Sequence, residues 1–105
     1  MKRLAKVLAS CAVSALLVPF SASANETLAK KHACFACHAV DKKLVGPSYK
    51  EVASKYRGDA GAEARLVDRV KKGSQGAWGQ VPMPPNAAVP DGEVRILVQW
   101  ILSQK

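Results

Sequence analysis

Two stretches of the chain carry apolar residues at the helical spacing of i, i+3, i+4 and i+7, and a third stretch between them carries two apolar residues at i and i+4. These residues are Tyr49, Val52, Ala53 and Tyr56, then Leu66 and Val70, and finally Val94, Leu97, Val98 and Ile101. Gly58 and Gly73 are expected to end the first two helices, because glycine commonly follows a last helical turn. The pattern therefore predicts a helix from about Tyr49 to Gly58, one over roughly 62–72, and one that starts near Asp91.

A fourth helix, first in chain order, is predicted from near Glu26 to about Val40. It would carry the sequence Cys34-Phe35-Ala36-Cys37-His38. No stretch alternates apolar and polar residues convincingly, as a half-buried strand does. The predicted class is all-α, with about four helices and connections long enough to wrap a flat cofactor.

The first 24 residues have the pattern of a secretory signal peptide. Lys2, Arg3 and Lys6 precede an uncharged run over 7–18, and Ser21-Ala22-Ser23-Ala24 ends in small residues. The run of 12 residues is shorter than the roughly 20 that a membrane span needs. We therefore predict a cleaved signal peptide over 1–24 and an exported mature domain over 25–105.

The mature domain would have 81 residues, with 13 Lys+Arg against 8 Asp+Glu. This length excludes a multidomain enzyme, and the composition excludes an integral membrane protein. The net charge of +5 is modest, and the chain carries no nucleic-acid-binding motif, so no nucleic-acid partner is expected. A core this small rarely supplies more than about 3–5 kcal/mol of stability. Some additional group is therefore expected in the core.

Cys34 and Cys37 are the only cysteines of the mature chain, and they allow four interpretations. A disulfide between them would close a very short loop and add little stability. A thioredoxin-like redox pair expects a preceding strand, and a zinc site needs about four ligands. The remaining interpretation is covalent attachment of a c-type haem, for which Cys-x-x-Cys-His is the signature. Helical spacing would let both thiols reach the porphyrin edge while His38 lies beneath the iron.

The second axial ligand is predicted to be Met83, which lies 45 positions after His38. The surrounding Val81-Pro82-Met83-Pro84-Pro85-Asn86 is too rich in proline for a helix or a central strand. It would form a stiff loop that presents one thioether. His32 precedes His38 on the same predicted helix and cannot reach the opposite haem face, so it is expected to be solvent-exposed. A thioether ligand favours Fe(II) and raises the reduction potential.

Several segments of the sequence resemble the class I c-type cytochromes, and especially the small bacterial cytochrome c-551 (cytochrome c8) type. The matching segments are Cys34-Phe35-Ala36-Cys37-His38, Val45-Gly46-Pro47, Gly73-Ser74-Gln75-Gly76, Trp78-Gly79, Pro82-Met83-Pro84-Pro85-Asn86 and Trp100-Ile101-Leu102-Ser103-Gln104-Lys105. The resemblance spans nearly the whole mature chain. It departs at 87–92, which looks one residue longer, so the start of the last helix stays open.

The resemblance implies further roles around the haem. The carbonyl of Pro47 would accept a hydrogen bond from His38, and Trp78 and Arg69 would bind a haem propionate. The amide of Asn86 would touch the sulfur of Met83. Simpler alternatives remain for each residue. Gly46-Pro47 could be only a turn, and Trp78 could be a core residue. Arg69 could be a solvated helix charge, and Asn86 could cap a turn.

The function that the residues and the resemblance imply is that of a soluble periplasmic electron carrier with one covalent haem c and a fairly positive potential. Its partners would be redox proteins. The donor would be a membrane cytochrome complex or a cupredoxin, and the acceptor a nitrite reductase, an oxidase or cytochrome c peroxidase. The protein would be a monomer without enzymatic activity, because both axial positions are filled. A haem enzyme or gas sensor is the rival class and would require Met83 to dissociate.

The lysines near the motif suggest how such a carrier would dock. They are Lys30, Lys31, Lys42, Lys43, Lys50 and Lys55. A positive rim at the haem edge would steer acidic partners in a salt-dependent way. The alternative is an ordinary solvated basic surface.

Overall fold

The structure is a computed structural model that describes the backbone of residues 22–105 and the side chains of residues 24–105. The described part contains four α-helices: α1 (Ala22–Lys31), α2 (Tyr49–Lys55), α3 (Ala62–Lys72) and α4 (Asp91–Leu102). A short 3-10 helix (Cys34–Ala36) follows α1. The β-structure within residues 22–105 is limited to one isolated bridge. The predicted all-α class is confirmed. The predicted signal peptide lies outside the described residues, except for the backbone of its last three.

Helices α2, α3 and α4 lie where the apolar spacing predicts them. Ser48 begins α2 as an N-cap, because its hydroxyl oxygen accepts a hydrogen bond from the backbone N–H of Glu51 at 3.1 Å. Helix α4 begins at Asp91, directly after Pro90, so the longer 87–92 segment leaves the predicted start of this helix unchanged. Asp91 and Glu93 in its first turn are favourable for the helix dipole.

The prediction of one continuous helix from Glu26 to Val40 is wrong. Helix α1 ends at Lys31, and Ala33 has a left-handed backbone with φ of 59°. The Cys34–Ala36 segment then forms the 3-10 helix. Periodicity did not reveal this break, because alanine is a strong helix former and left-handed positions usually carry glycine.

Helix α4 is shared by two clusters of buried side chains. One cluster joins Ala29, Tyr49, Leu97 and Trp100, with Cys34 and Phe35 packed against it. The other joins Val89, Val94 and Val98, with Leu66 and Val70 of α3 against it. Trp100 therefore packs between the first and last helices. Within residues 22–105, none of the helices has the length and apolar character that a membrane crossing requires.

The predicted solvent exposure of His32 is also wrong. Its side chain is only 14% exposed, and its Nε2 lies 3.2 Å from Oε2 of Glu93. Because α1 ends just before His32, the turn brings the imidazole against the first turn of α4. His32 therefore joins the two terminal helices.

Candidate functional site

A cavity of about 360 Å³ lies between the motif that follows α1, helices α2 and α3 and the long loop before α4. Most of the predicted site residues line it, namely Cys37, His38, Pro47, Arg69, Trp78 and Met83. Cys34 and Asn86 are not part of its lining. Apolar side chains also contribute, among them Val52, Leu66, Val70 and Ile101. The fold thus brings residues from distant parts of the sequence to one apolar pocket.

The Cys34–His38 motif forms one compact turn. The N–H of His38 donates to the carbonyl of Cys34 at 3.1 Å, and the N–H of Cys37 donates to the same oxygen at 3.3 Å. This turn keeps the i, i+3, i+4 arrangement of the motif residues even though the predicted long helix is absent. Gly46 ties the motif to the following loop, since its N–H donates to the Cys37 carbonyl at 2.7 Å.

The two thiols are free. Cys34 and Cys37 form no disulfide. Burial raises the pKa of the Cys34 thiol, and a hydrogen bond with Tyr49 opposes that increase. Within residues 22–105, no group of three or more His, Cys, Asp or Glu side chains is arranged to hold a metal ion. The disulfide and zinc interpretations of the motif are therefore without structural support in the described part of the chain.

The imidazole of His38 is fixed through its Nδ1. That atom lies 2.8 Å from the carbonyl oxygen of Pro47. A carbonyl can only accept, so Nδ1 carries the proton and Nε2 keeps its lone pair free for a metal ion. Gly46 leaves the space that the ring needs, because a Cβ there would overlap Cε1 of His38 and lie 2.8 Å from Nδ1. Gly46 and Pro47 thus do more than form a turn.

Met83 is held by its own backbone. Its N–H donates to the Ser74 carbonyl at 2.8 Å, and its carbonyl accepts from the Ser74 N–H at 3.0 Å. These two bonds form the isolated antiparallel bridge of the structure. The bridge places Met83 at the cavity, where its side chain is half-buried.

Arg69 and Trp78 both line the cavity, and each already has a protein partner. Arg69 donates from Nη1 to the Tyr56 hydroxyl at 2.6 Å. Trp78 is 40% exposed and lines the cavity. The ammonium of Lys55 lies 4.3 Å from the centre of the Trp78 ring and donates to the Ala77 carbonyl at 3.0 Å. Binding of a propionate by Arg69 and Trp78 stays a prediction.

Asn86 joins the loop after Met83 to helix α3. Its backbone N–H donates to the Val70 carbonyl at 2.9 Å. Its side-chain amide donates to the carbonyls of Val70 at 3.3 Å and Pro84 at 3.2 Å. In this structure the amide therefore stabilises a turn, which is the simpler of the two sequence interpretations. The contact with the Met83 sulfur stays a prediction.

Four residues that position the site were not identified from sequence as doing so. Tyr49 stacks on His38, Ser74 pairs with Met83, Tyr56 binds Arg69 and Lys55 lies over Trp78. Each contact joins segments separated by 9 to 23 residues, so local periodicity carries no information about it. Tyr49 and Tyr56 belonged to a predicted helical stripe, but that pattern shows only that a residue faces inward.

The residues present fit a covalently bound haem. The cavity offers an imidazole whose Nδ1 is bonded to Pro47 and whose Nε2 is the ring nitrogen left for a metal ion, a thioether and apolar walls, and two thiols lie in the same motif as the imidazole. This set matches the ligands and attachment groups of a c-type haem and not those of an oxygen-ligated cation. Helices α2, α3 and α4 and the motif that follows α1 surround this pocket, and the arrangement is that of a c-type haem protein.

Comparison with known proteins agrees with this class. The profile of the cytochrome c family matches residues 22–105. The chain belongs to the cytochrome c family. It is 60% identical to cytochrome c-551 of Pseudomonas aeruginosa over 80 residues, 76% of each chain. It is 48% identical to cytochrome c-552 of Nitrosomonas europaea over 98 residues, which cover 93% of this chain and 95% of that protein.

A solved structure agrees as well. The crystal structure of wild-type Nitrosomonas europaea cytochrome c552 superimposes with a TM-score of 0.74 at 48% identity, covering 76% of this chain and 99% of that one. The chain is accordingly a monohaem c-type cytochrome that binds one haem c covalently. It carries electrons and is not an enzyme.

Proposed function

We propose that this cytochrome is a periplasmic one-electron carrier whose iron is held by Nε2 of His38 and the sulfur of Met83. The observation that carries the proposal is the common cavity of these two side chains, together with the 2.8 Å hydrogen bond from His38 Nδ1 to Pro47. That bond fixes the tautomer and leaves one nitrogen for the metal. Bound haem c supplies a one-electron Fe(III)/Fe(II) couple.

The protein side chains set the properties of this couple. Met83 provides a soft thioether, which favours the reduced state, and the apolar walls disfavour the extra charge of the oxidised state. Both effects raise the reduction potential. The Ser74 bridge and the Pro47 carbonyl hold the two ligands in place, so little rearrangement accompanies electron transfer. Cys34 and Cys37 are the attachment residues, which prevents loss of the haem in the periplasm.

The remaining predicted contacts belong to the edge of the site. Arg69 and Trp78 offer N–H donors to a propionate, with Tyr56 and Lys55 holding them at the cavity. Asn86 steadies the loop that carries Met83. An arginine and an indole are suitable partners for a carboxylate that is removed from water.

The periplasmic location and the partners rest on sequence features. Residues 1–24 have the signal-peptide pattern, and the cytochrome c-551 resemblance suggests a nitrite reductase as the terminal acceptor. A membrane cytochrome complex or a cupredoxin would supply the electrons, and an oxidase or cytochrome c peroxidase is the alternative acceptor. The lysine-rich surface near the motif favours an acidic docking face on these partners.

Replacement of Met83 tests the ligation. In Met83→Ala, we expect loss of the weak far-red ferric absorption band of sulfur ligation, a markedly lower reduction potential and binding of added imidazole. Val81→Ala is the matched control, because Val81 lines the same cavity on the same loop and is 66% exposed. It should keep the band and the potential. Imidazole binding no tighter in Met83→Ala than in wild type would contradict the proposed ligand.

Location and pathway need two separate measurements. Cell fractionation with N-terminal sequencing should find red protein in the periplasm that begins at Asn25. Stopped-flow oxidation of the reduced protein should be faster with a periplasmic nitrite reductase than with a terminal oxidase or a cytochrome c peroxidase, and it should slow as salt is added. The opposite order of rates would contradict the nitrite reductase assignment and leave the ligation unaffected.

A further inference from the structure

Tyr49 has a position that the ligand set alone does not explain. It is the first residue of α2, its side chain is 2% exposed, and its ring forms part of the cavity wall. The ring lies against the imidazole of His38, with centroids 5.3 Å apart and planes inclined by 23°. A buried aromatic ring is thus nearly parallel to the side chain that offers Nε2 to the cavity.

The hydrogen bond to Pro47 does not by itself fix the plane of the imidazole. The second side-chain torsion of histidine is broad and has no sharp staggered minimum. A single hydrogen bond also tolerates a wide range of angles. The ring of His38 could therefore rock while Nδ1 stays bonded to the Pro47 carbonyl. A flat partner against its face restricts that motion.

Tyr49 is itself firmly held. Its ring makes tilted and edge contacts with Phe35 at 6.0 Å and with Trp100 at 5.5 Å. Its backbone N–H donates to the carbonyl of Ala39 at 2.9 Å, one residue after His38. The cap on α2 at Ser48 fixes the same end of the helix. The aromatic cluster and the helix start therefore transmit a defined orientation to the imidazole.

We propose that Tyr49 is a positioning residue that sets the plane of the His38 imidazole and so aims Nε2 at the bound haem iron. The aromatic face does this, and the hydroxyl is not needed for it. The proposal rests on the proposed role of His38 as an axial ligand. It adds one residue to the two proposed iron ligands.

The experiment uses the mature holoprotein and measures the ferric electron paramagnetic resonance g values and the haem methyl NMR shifts. Both depend on the orientation of the axial ligands and not on global stability. Tyr49→Phe should reproduce the wild-type values, because it keeps the ring. Tyr49→Leu should shift them, because an aliphatic side chain cannot hold the imidazole plane. Tyr49→Ile serves as a second aliphatic variant if Tyr49→Leu does not accumulate with haem.

Val94→Ala is the matched control. It removes buried volume from the other cluster of α4, formed by Val89, Val94 and Val98, and Val94 does not line the cavity. It should lower the melting temperature and leave the g values near wild type. Wild-type g values in Tyr49→Leu or Tyr49→Ile, or equal shifts in Tyr49→Phe and Tyr49→Leu, would overturn the proposal. Absence of the far-red band from wild type would instead count against Met83 as the ligand, so the two failures are distinguishable.

Discussion

Ser74 and Met83 are joined by two reciprocal backbone hydrogen bonds of 3.0 and 2.8 Å. They place a residue that follows α3 directly beside the predicted sulfur ligand. Gly73, next to this pair, has a positive φ of 80°, and a Cβ there would lie 2.6 Å from the Met83 carbonyl oxygen. The glycine thus permits the close approach that holds Met83 at the cavity.

Gly73→Ala should displace Met83. The added methyl group cannot coexist with the Met83 carbonyl, and the backbone at Gly73, with φ of 80° and ψ of 171°, is a conformation essentially restricted to glycine, which adds strain of about 1–3 kcal/mol. We expect a lower melting temperature together with a weaker far-red ferric band, measured by thermal unfolding and visible spectroscopy of the holoprotein.

Gly76→Ala provides the control for that variant. Gly76 also has a positive φ, of 85°, but nothing lies within 4 Å of a Cβ built there. It should lose stability through backbone strain alone and keep the far-red band. A far-red ferric band of equal intensity in Gly73→Ala and wild type would mean that the Ser74–Met83 bridge does not position the thioether.

Gly46→Ala should disturb the other ligand. Its φ is not in the left-handed region, so the effect is purely steric: the methyl group would overlap the His38 ring. We expect the His38–Pro47 hydrogen bond to break and the yield of covalent haem protein to fall several-fold, measured from the haem absorbance of periplasmic extracts.

Gly92→Ala is the matched comparison for Gly46. Gly92 lies in the first turn of α4, has no positive φ and has nothing within 4 Å of a Cβ. Alanine there should raise the free energy of unfolding by up to about 1 kcal/mol, because glycine is the weaker helix former. A normal haem yield in Gly46→Ala would contradict the role of the close approach.

Ala33→Gly should stabilise the protein. Ala33 is the only non-glycine residue with positive φ within residues 22–105, and glycine adopts this backbone without steric strain. Glycine loses more backbone entropy on folding than alanine does, and this loss offsets part of the relieved strain. The free energy of unfolding should therefore rise by up to about 1 kcal/mol. Ala36→Gly, in the adjoining 3-10 helix, should instead destabilise by about 0.5–1 kcal/mol. Thermal unfolding of the two variant holoproteins measures both effects. A lower melting temperature in Ala33→Gly than in wild type would show that the methyl group of Ala33 contributes more to stability than relief of the backbone strain does.

The sequence predicts the helices better than it predicts the contacts between them. Helices α2 to α4 follow from apolar spacing and glycine stops, because those features act within a few turns. The end of α1 was missed because the break falls on an alanine, and the contact of His32 with Glu93 was missed along with it.

Long-range geometry limits the prediction of the site in the same way. The types of the predicted ligands and attachment residues are readable from the motif and the proline-rich loop. The backbone pairing of Ser74 with Met83 and the stacking of Tyr49 on His38 depend on how the chain folds back on itself. The sequence marks such places only indirectly, for example by a glycine at 73 where no side chain fits.

The final prediction concerns Asp91, at the start of α4. Its carboxylate lies 2.9 Å from Nζ of Lys71, whose ammonium also donates to the carbonyls of Ala87 at 3.0 Å and Val89 at 2.6 Å. The hydrogen bond with Lys71 and the charge of that ammonium lower the pKa of Asp91 below its ordinary value. A carboxylate with a lowered pKa in the folded protein stabilises it above the ordinary Asp pKa of about 3.9, and this stabilisation is lost as the pH falls through the folded value.

Asp91→Asn should therefore be less stable than wild type at neutral pH, and the difference should shrink towards zero in acid. Asp91 is 81% exposed, so the effect should be small and should weaken with added salt. Asp41→Asn is the control, because Asp41 is exposed and has no ion pair among the residues described. At neutral pH, Asp41→Asn should lower the melting temperature less than Asp91→Asn does. The measurement is thermal unfolding of the three holoproteins between about pH 2.5 and 7. This range spans the ordinary Asp pKa of about 3.9. A pH-independent difference for Asp91→Asn would show that the ion pair with Lys71 does not stabilise the segment between Met83 and α4.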